Sequence, residues 1–314
     1  MSVFRDKILL ATDGSPEAER AAGMAATLSG KLGLELHVVY VEPMPDPLSW
    51  PEYRVVAPEL RKDIRERAED EARAKLEDES EKIRAMGGKI AGVHTRAGRP
   101  DAEIVHATEE LDAGLVVLGS RGLGPVRRLV MGGVSDSVVH HSHGSVLVVR
   151  EGGTEGDYLP GRVLLALDGS GQAQVATEAA IEISTATGSG LHLAFVLPTA
   201  EHLYGHHFYP SEIKESIREQ AEEEARAFLT ERTEWIEAHG GKVEDTHVPS
   251  GRPDAEIVKL AEELRVGLTV VGSTGLGRVG RTLMGSVSGS VVRHAHGPVL
   301  VVRSEDDSES GETR

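Results

Sequence analysis

The sequence predicts an α/β protein built from two copies of one domain, each a five-stranded parallel sheet with helices on both faces. Three observations carry that prediction. The first is a repeat far longer than a solenoid unit. Leu10-Ala11-Thr12-Asp13-Gly14-Ser15 returns as Leu165-Ala166-Leu167-Asp168-Gly169-Ser170, and Gly98 to Val105 returns unchanged as Gly251 to Val258. Gly119-Ser120-Arg121-Gly122-Leu123-Gly124 returns as Gly272-Ser273-Thr274-Gly275-Leu276-Gly277, and Val146 to Arg150 as Val299 to Arg303. The second is strict alternation of strand and helix patterns within each copy. The third is that the strand runs are short and apolar without alternation, as in a sheet covered on both faces. Residues 1–150 and 162–303 are read as the domains, with 151–161 as linker and 304–314 as an acidic, disordered tail.

Each element has a local reason. Ile8–Ala11 is a buried-strand run, and Ser15-Pro16 sets an N-cap and a first-turn proline for an Ala-rich helix to about Leu32. Leu36–Val41 is strand. A long charged helix then runs from Glu59 to Met86 and stops at Gly87-Gly88. Ile90–Thr95 is strand, Pro100-Asp101 opens a helix to about Leu111, and Leu115–Leu118 is strand. A Gly-rich loop leads into a helix from about Gly132 to His141, and Ser145–Val149 closes the unit. The repeat offset shrinks by two residues after Val41 and Val196, where the copies share least.

Composition bounds function. Over 314 residues, Lys+Arg 34 against Asp+Glu 51 gives a net charge of -17. That balance argues against a nucleic-acid or anionic-membrane surface, both of which need clustered cations. The excess lies in the second half: residues 1–150 carry 24 acidic and 20 basic side chains, and 151–314 carry 27 and 14. Having no cysteine, the chain has no disulfide, thiol nucleophile or thiolate metal site. The N-terminus lacks a signal peptide and no window could span a membrane, so a cytoplasmic protein is expected.

Unusual residues sit where the first and fourth strands end, the side on which open parallel sheets bind ligands. Asp13 and Asp168 end the first strands, where a carboxylate can accept hydrogen bonds from a ribose or a base, or simply close an Asx turn. After the fourth strands come Gly119-x2-Gly122-x9-Gly132-Gly133 and Gly272-x2-Gly275-x9-Gly285-Ser286. Glycines admit close approach of an anion to the backbone, and the helix start that follows offers unpaired N–H groups. Arg127, Arg128, Arg278 and Arg281 add cations between the glycines. A P-loop, a dinucleotide fingerprint and a hydrolase elbow are all missing.

The spacing G-x2-G-x9-G-[ST], with an Asp ending strand one, resembles the ATP-binding subgroup of the universal stress protein family, and it does so twice over nearly the whole chain. The resemblance implies tandem Rossmann-like domains of the adenine nucleotide alpha hydrolase-like class. It implies ATP or another adenine nucleotide as ligand, with or without Mg2+. On this pattern Ala11, Thr12 and Asp13, with Leu167 and Asp168, meet the adenosine, and the backbone at Val41 and Val196 meets adenine. Gly119, Arg121, Gly122, Gly132, Gly133, Val134 and Ser135 would surround the phosphates in the first copy. Gly272, Thr274, Gly275, Gly285, Ser286, Val287 and Ser288 would do so in the second, with Ser135, Ser286 and Ser288 offering hydroxyls. Gly133 departs from the pattern, standing where the family has Ser or Thr. In this family the last strand commonly pairs domains. The two halves are therefore expected to form an intrachain pseudo-dimer, with a homo-dimer as a further possibility.

The function expected is ATP-dependent regulation in a stress response, with no catalysis or very slow turnover, since no general base is identifiable beside the loops. Two other readings stand beside it, an ATP-dependent ligase or phosphotransferase and a nucleotide-free scaffold. No metal site is expected. His140, His141, His143, His294 and His296 are read as solvated helix-end residues, and His202, His206 and His207 as loop residues. Trp50, Tyr53, Tyr204, Phe208 and Tyr209 lie in the loops after the second strands and are read as packing residues.

Overall fold

In the computed structural model, which describes residues 2–44, 58–122, 131–150, 158–199, 211–275 and 284–304, the chain forms two units, Met1–Tyr158 and Leu159–Ser304. The first contains β1 (Lys7–Thr12), α1 (Pro16–Leu32), β2 (Glu35–Pro43), α2 (Pro58–Ala85), β3 (Ile90–Gly98), α3 (Pro100–Leu111), β4 (Leu115–Gly119), α4 (Gly133–His141) and β5 (Ser145–Val149). Its strands are parallel in the order β3-β2-β1-β4-β5. The second unit repeats this with β6 (Arg162–Leu167), α5 (Gly171–Thr187), β7 (Gly190–Phe195), α6 (Ser211–Ala238), β8 (Val243–His247), α7 (Pro253–Glu263), β9 (Leu268–Gly272), α8 (Ser286–His294) and β10 (Val299–Val302). Its order is β8-β7-β6-β9-β10, again all parallel.

The central strands are buried on both faces, which explains their lack of alternation: Ile8, Leu9, Leu10, Leu115, Val163, Leu164 and Leu165 are fully enclosed. In α1, Ala18, Ala21, Ala22 and Ala25 form the buried stripe. Gly23 interrupts that helix for a packing reason, because a Cβ there would stand 2.3 Å from Cζ of Tyr158, whose ring lies against α1.

The second strands depart from expectation. β2 runs two residues beyond Val41, pairing Val41 with Arg96, Glu42 with Ala97 and Pro43 with Gly98. In the second unit β7 stops at Phe195, and only an isolated bridge joins Leu197 to Ser250. Pro198 and Pro249 lack the N–H groups that would continue this ladder. Val41 therefore lies inside its strand, whereas Val196 lies just beyond its own.

The unchanged Gly98 to Val105 segment is a clasp. Asp101, at the start of α3, accepts hydrogen bonds from Ser137 Oγ on α4 at 2.8 Å and from Arg99 Nη2 at 2.8 Å. Asp254 does the same with Ser290 Oγ at 2.6 Å and Arg252 Nη2 at 2.8 Å. A Cβ at Gly98 or Gly251 would come within 2.8 Å of Glu103 or 2.7 Å of Glu256. Burial pushes both aspartates up, but the Ser and Arg bonds outweigh it and hold the carboxyls below their ordinary value. Asp254→Ala is expected to destabilise its unit by about 1.5–3 kcal/mol at neutral pH, the worth of hydrogen bonds to a charged group. Because the folded value is the lower one, this stabilisation is complete above about pH 4 and is lost as pH falls through the folded value. Urea unfolding of wild type and variant should therefore converge in acid.

Candidate functional site

β1 and β4 are neighbours in register from Ile8 opposite Leu115 to Ala11 opposite Leu118. The chain leaves them in opposite directions along the sheet, which opens a crevice at their carboxyl ends. Asp13 stands there. Its Oδ1 accepts from the Ser15 N–H at 3.0 Å, while Ser15 caps α1 by accepting from the Ala18 N–H at 3.2 Å. The intervening Gly14 has φ +74°, a left-handed conformation that favours glycine. The second unit reproduces this: Asp168 Oδ1 accepts from Ser170 N at 3.0 Å and Ser170 Oγ at 2.6 Å, and Ser170 caps α5 through Ala173 N at 3.2 Å.

The other carboxylate oxygen faces the glycine loop. A Cβ on Gly122 would lie 2.2 Å from Asp13 Oδ2, and one on Gly275 would lie 2.4 Å from Asp168 Oδ2. A side chain at either position would have to push the aspartate carboxylate aside. One oxygen closes the Asx turn and the other reaches the fourth-strand loop.

The loop is gathered at its base. Gly132 N donates to Ser120 O at 2.8 Å, and Ser135 Oγ donates to the same carbonyl at 2.7 Å. Gly285 N and Ser288 Oγ do the same to Ser273 O at 2.7 and 2.9 Å. The Ser135 and Ser288 hydrogens are therefore committed to the loop base and not presented to a ligand. Gly119 and Gly272 pack on the first turns of α1 and α5, where a Cβ would meet backbone atoms at 3.0 Å and 3.2 Å. Gly132 and Gly285 are the N-caps of α4 and α8, and neither offers a side-chain cap. The N–H groups ahead of the first intrahelical bonds, Asp136 N to Gly132 O and Gly289 N to Gly285 O, have no helical acceptor. Val134 and Val287 are exposed beside them. Gly133 has no atom within 4 Å of where a Cβ would be. Arg127, Arg128, Arg278 and Arg281 lie outside the described residues.

Around this shared frame the two units differ in coupled ways. Arg121, which the resemblance places beside the phosphates, is an ion-pair partner of Glu17. Its Nε donates to Glu17 Oε1 at 2.6 Å and its backbone N to Glu17 Oε2 at 2.7 Å. Glu17, buried in the first turn of α1, also accepts from Ser120 Oγ at 2.5 Å. In the second unit both members change together, to Gln172 and Thr274. Arg121→Thr alone should destabilise the first unit by roughly 2 kcal/mol, because it strips a buried carboxylate of its partner. Adding Glu17→Gln, which copies the second unit, should recover more than half; thermal unfolding of the three variants measures this.

The ends of the second strands also differ. Tyr40 lies under Lys75 of α2 at 5.4 Å, and Lys75 Nζ donates to Glu42 at 2.7 Å. Bonds to Glu42 and Tyr40 push the Lys75 ammonium up to about 12, and burial raises the Tyr40 phenol. Their counterparts are Phe195, Phe228 and Leu197, with the two rings 5.4 Å apart. Beside β1, Thr12 Oγ1 donates to buried Glu79 at 3.3 Å, and Lys82 Nζ to the same carboxylate at 2.7 Å. The counterparts are Leu167, Arg232 and Trp235, with the Arg232 guanidinium over the Phe228 and Trp235 rings. The motif search missed Glu17, Glu79, Tyr40 and Lys75. The legible signal was that positions in contact change in pairs between the copies.

The helix-end histidines turn back onto their own helices. The Nδ1 atoms of His140, His141 and His294 lie 2.7–2.8 Å from the carbonyls of Asp136, Ser137 and Ser290. His296 pairs with Glu262, and His143 lies 3.6 Å from Glu109. His202, His206 and His207 lie outside the described residues, as do Trp50, Tyr53, Tyr204, Phe208 and Tyr209. Among the described residues no helix is long and apolar enough to cross a membrane.

The chain matches the model of the Universal stress protein family over residues 5–150 and again over 160–303. It is 30% identical over 301 residues to a universal stress protein of Mycolicibacterium smegmatis, covering 94% of this chain and 96% of that one. It is 29% identical over 316 residues to one of Mycobacterium tuberculosis, covering 96% of each. Among solved structures, a universal stress protein from Archaeoglobus fulgidus superposes with a TM-score of 0.68 at 26% identity, over 98% of this chain and 99% of that one. With one such domain on either side of the 150s, each carrying the same aspartate and glycine frame, the chain belongs to the universal stress protein family as a tandem, two-domain member.

Proposed function

We propose that each unit binds an adenine nucleotide, ATP, in the crevice between the ends of β1 and β4, or of β6 and β9, and that the protein acts in stress regulation by binding and not by chemistry. The observation that carries this reading is the packing of Gly122 and Gly275 on Asp13 and Asp168. It fixes a carboxylate and an uncapped helix N-terminus around one crevice, in duplicate. A carboxylate suits ribose hydroxyls or a base amino group, and the helix start suits an anion. Asp13 and Asp168 would orient the nucleoside. The N–H groups of Gly133, Val134 and Ser135, and of Ser286, Val287 and Ser288, would hold phosphate oxygens.

Magnesium has no dedicated carboxylate pair among the described residues at either loop, since Glu17 is engaged by Arg121 and Ser120 and the second unit has Gln172 there. It would arrive on the phosphates of the nucleotide. The same facts favour binding over turnover: Glu17, an acidic side chain hydrogen-bonded to the first loop's backbone, is paired with an arginine, and the second unit replaces it with an amide. Acid extraction and chromatography of freshly purified protein should yield adenine nucleotide at up to two equivalents per chain. Protein free of nucleotide that also shows no heat on ATP addition would overturn the reading and favour a scaffold; rapid conversion of ATP would favour an enzyme.

A further inference from the structure

A second duplicated feature lies on strands two and three of each unit, away from the glycine loops. In the second unit β7 and β8 place His192 opposite Asp245, and Ala194 opposite His247. The two imidazoles stack with centroids 5.4 Å apart and planes 20° from parallel, and His192 Nδ1 is 3.2 Å from His247 Nε2. Asp245 Oδ2 is 3.9 Å from His247 Nε2. One ligand atom from each of the three residues lies within 4.8 Å of the others. We propose that His192, Asp245 and His247 bind a divalent transition-metal ion of the zinc class, and that the first unit does not.

The geometry fits such an ion closely. Two imidazole nitrogens bound to one tetrahedral zinc at about 2.0–2.1 Å stand roughly 3.3 Å apart, close to the separation already present. Two histidines and a carboxylate leave the fourth position to water, the pattern of an open zinc site. Two nitrogen donors disfavour calcium and magnesium, which take oxygen. The remaining nitrogen of His192 has what a metal-binding histidine needs behind it. His192 Nε2 is buried without a well-formed hydrogen bond, and Glu244 Oε2 lies 3.5 Å away. A carboxylate on that side favours the tautomer with the proton on Nε2, which leaves the Nδ1 lone pair for an ion.

The first unit shows which part is built for the ion. His37 and His94 repeat the stacked pair, with Nδ1 to Nε2 at 3.0 Å, and Glu35 Oε2 stands 3.4 Å from His37 Nε2. The outer carboxylate is thus kept, but it comes from the opposite strand. Glu35 on β2 stands where β7 has Gly190, and Ala91 on β3 stands where β8 has Glu244; a Cβ on Gly190 would meet Glu244 Cδ at 2.0 Å. The third ligand is not kept. Asp245 is replaced by Gly92, where a Cβ would stand only 2.6 Å from His37 Nδ1. Arg96, whose positive charge acts on His94, takes the place of Pro249. One unit therefore carries three donors, and the other carries two donors beside a cation.

An ion at this site would tie β8, the edge strand of the second unit's sheet, to β7. The test uses the full chain, stripped by chelator and freed of it by gel filtration. Zinc chloride is titrated by calorimetry, and cobalt(II) is added in parallel to read the visible d–d bands of a tetrahedral site. Wild type is expected to bind one tight equivalent per chain, with a zinc-dependent rise in melting temperature. Asp245→Asn, at an exposed position that the fold does not need, should weaken binding at least tenfold. His247→Gln should abolish it together with the thermal shift, and His94→Gln should leave both unchanged. No tight equivalent in wild type, undiminished binding in His247→Gln, or an equal loss in His94→Gln would overturn the proposal. Nucleotide is absent from every arm, so failure here leaves the ATP reading untouched.

Discussion

The Gly122→Val, Gly275→Val double variant should fold, yet bind ATP at least a hundredfold more weakly than wild type. The added Cβ atoms would lie 2.2 Å and 2.4 Å from Asp13 Oδ2 and Asp168 Oδ2, so each carboxylate must rotate away. Those oxygens are the terminal atoms of side chains at the crevice, and the strands beneath keep their register, so the cost falls on the site and not on the core. Each site then loses the hydrogen bonds its aspartate would accept from a nucleoside, about 1.5–3 kcal/mol for charge-assisted bonds. The γ-methyl groups also narrow the path to the helix start. A loss of 2.7 kcal/mol is a hundredfold in affinity. Asp13→Ala with Asp168→Ala separates the two contributions, because it removes the carboxylates without filling the crevice and should bind more tightly than the valine pair. Calorimetric titration with ATP decides it; affinity unchanged in the valine variant, with circular dichroism native-like, would remove the crevice from consideration as the nucleotide site.

Much of this frame was legible in the sequence because it rests on local chemistry. Ser15-Pro16 opens α1 as its capping role requires, and the Asp-Gly-Ser sequence forms the turn its residues favour. Two copies with identical glycine spacing located the loops. What was not legible depends on contacts between residues distant in the chain, from 15 positions for Ser135 with Ser120 to more than 100 for Arg121 with Glu17. Gly122 looked like a glycine making room for an anion, and nothing in its neighbourhood says that Asp13 Oδ2 already occupies the space. Arg121 looked like a phosphate neighbour because its partner, Glu17, sits 104 positions away in α1. The resemblance implied Ser135 and Ser288 as hydroxyl contacts for the phosphates, but here they reach back to the Ser120 and Ser273 carbonyls. The paired histidines escaped notice because each lies alone in its own strand, and only the register of parallel neighbours brings them together. Comparing the two copies would have exposed several of these partnerships: Glu17 with Arg121, Tyr40 with Lys75 and Glu35 with Ala91 all change as sets.

Those same sets lead to unequal sites, with the second unit expected to bind ATP tenfold to a hundredfold more tightly than the first. Ser286 adds a hydroxyl at the first position of α8 where α4 has Gly133, and a hydrogen bond to a charged phosphate oxygen is worth roughly 1.5–3 kcal/mol. Glycine also loses more backbone freedom than serine when a ligand orders the turn. The one cation that might have compensated, Arg121, is held by Glu17 through both its side chain and its backbone. Beside β1, the first unit adds the buried Glu79, whose Oε1 lies 3.6 Å from where a Cβ of Gly14 would stand. Lys82 offsets that charge, whereas the second unit places Arg232 at the same position. Two single-site proteins isolate the comparison: Asp13→Ala with Gly122→Val retains the second site, and Asp168→Ala with Gly275→Val retains the first. Gly133→Ser in the latter should recover most of the difference, since nothing within 4 Å obstructs the new side chain. Equal affinities in the two single-site proteins, or a first site tighter than the second, would show that the hydroxyl and the charge arrangement do not govern binding.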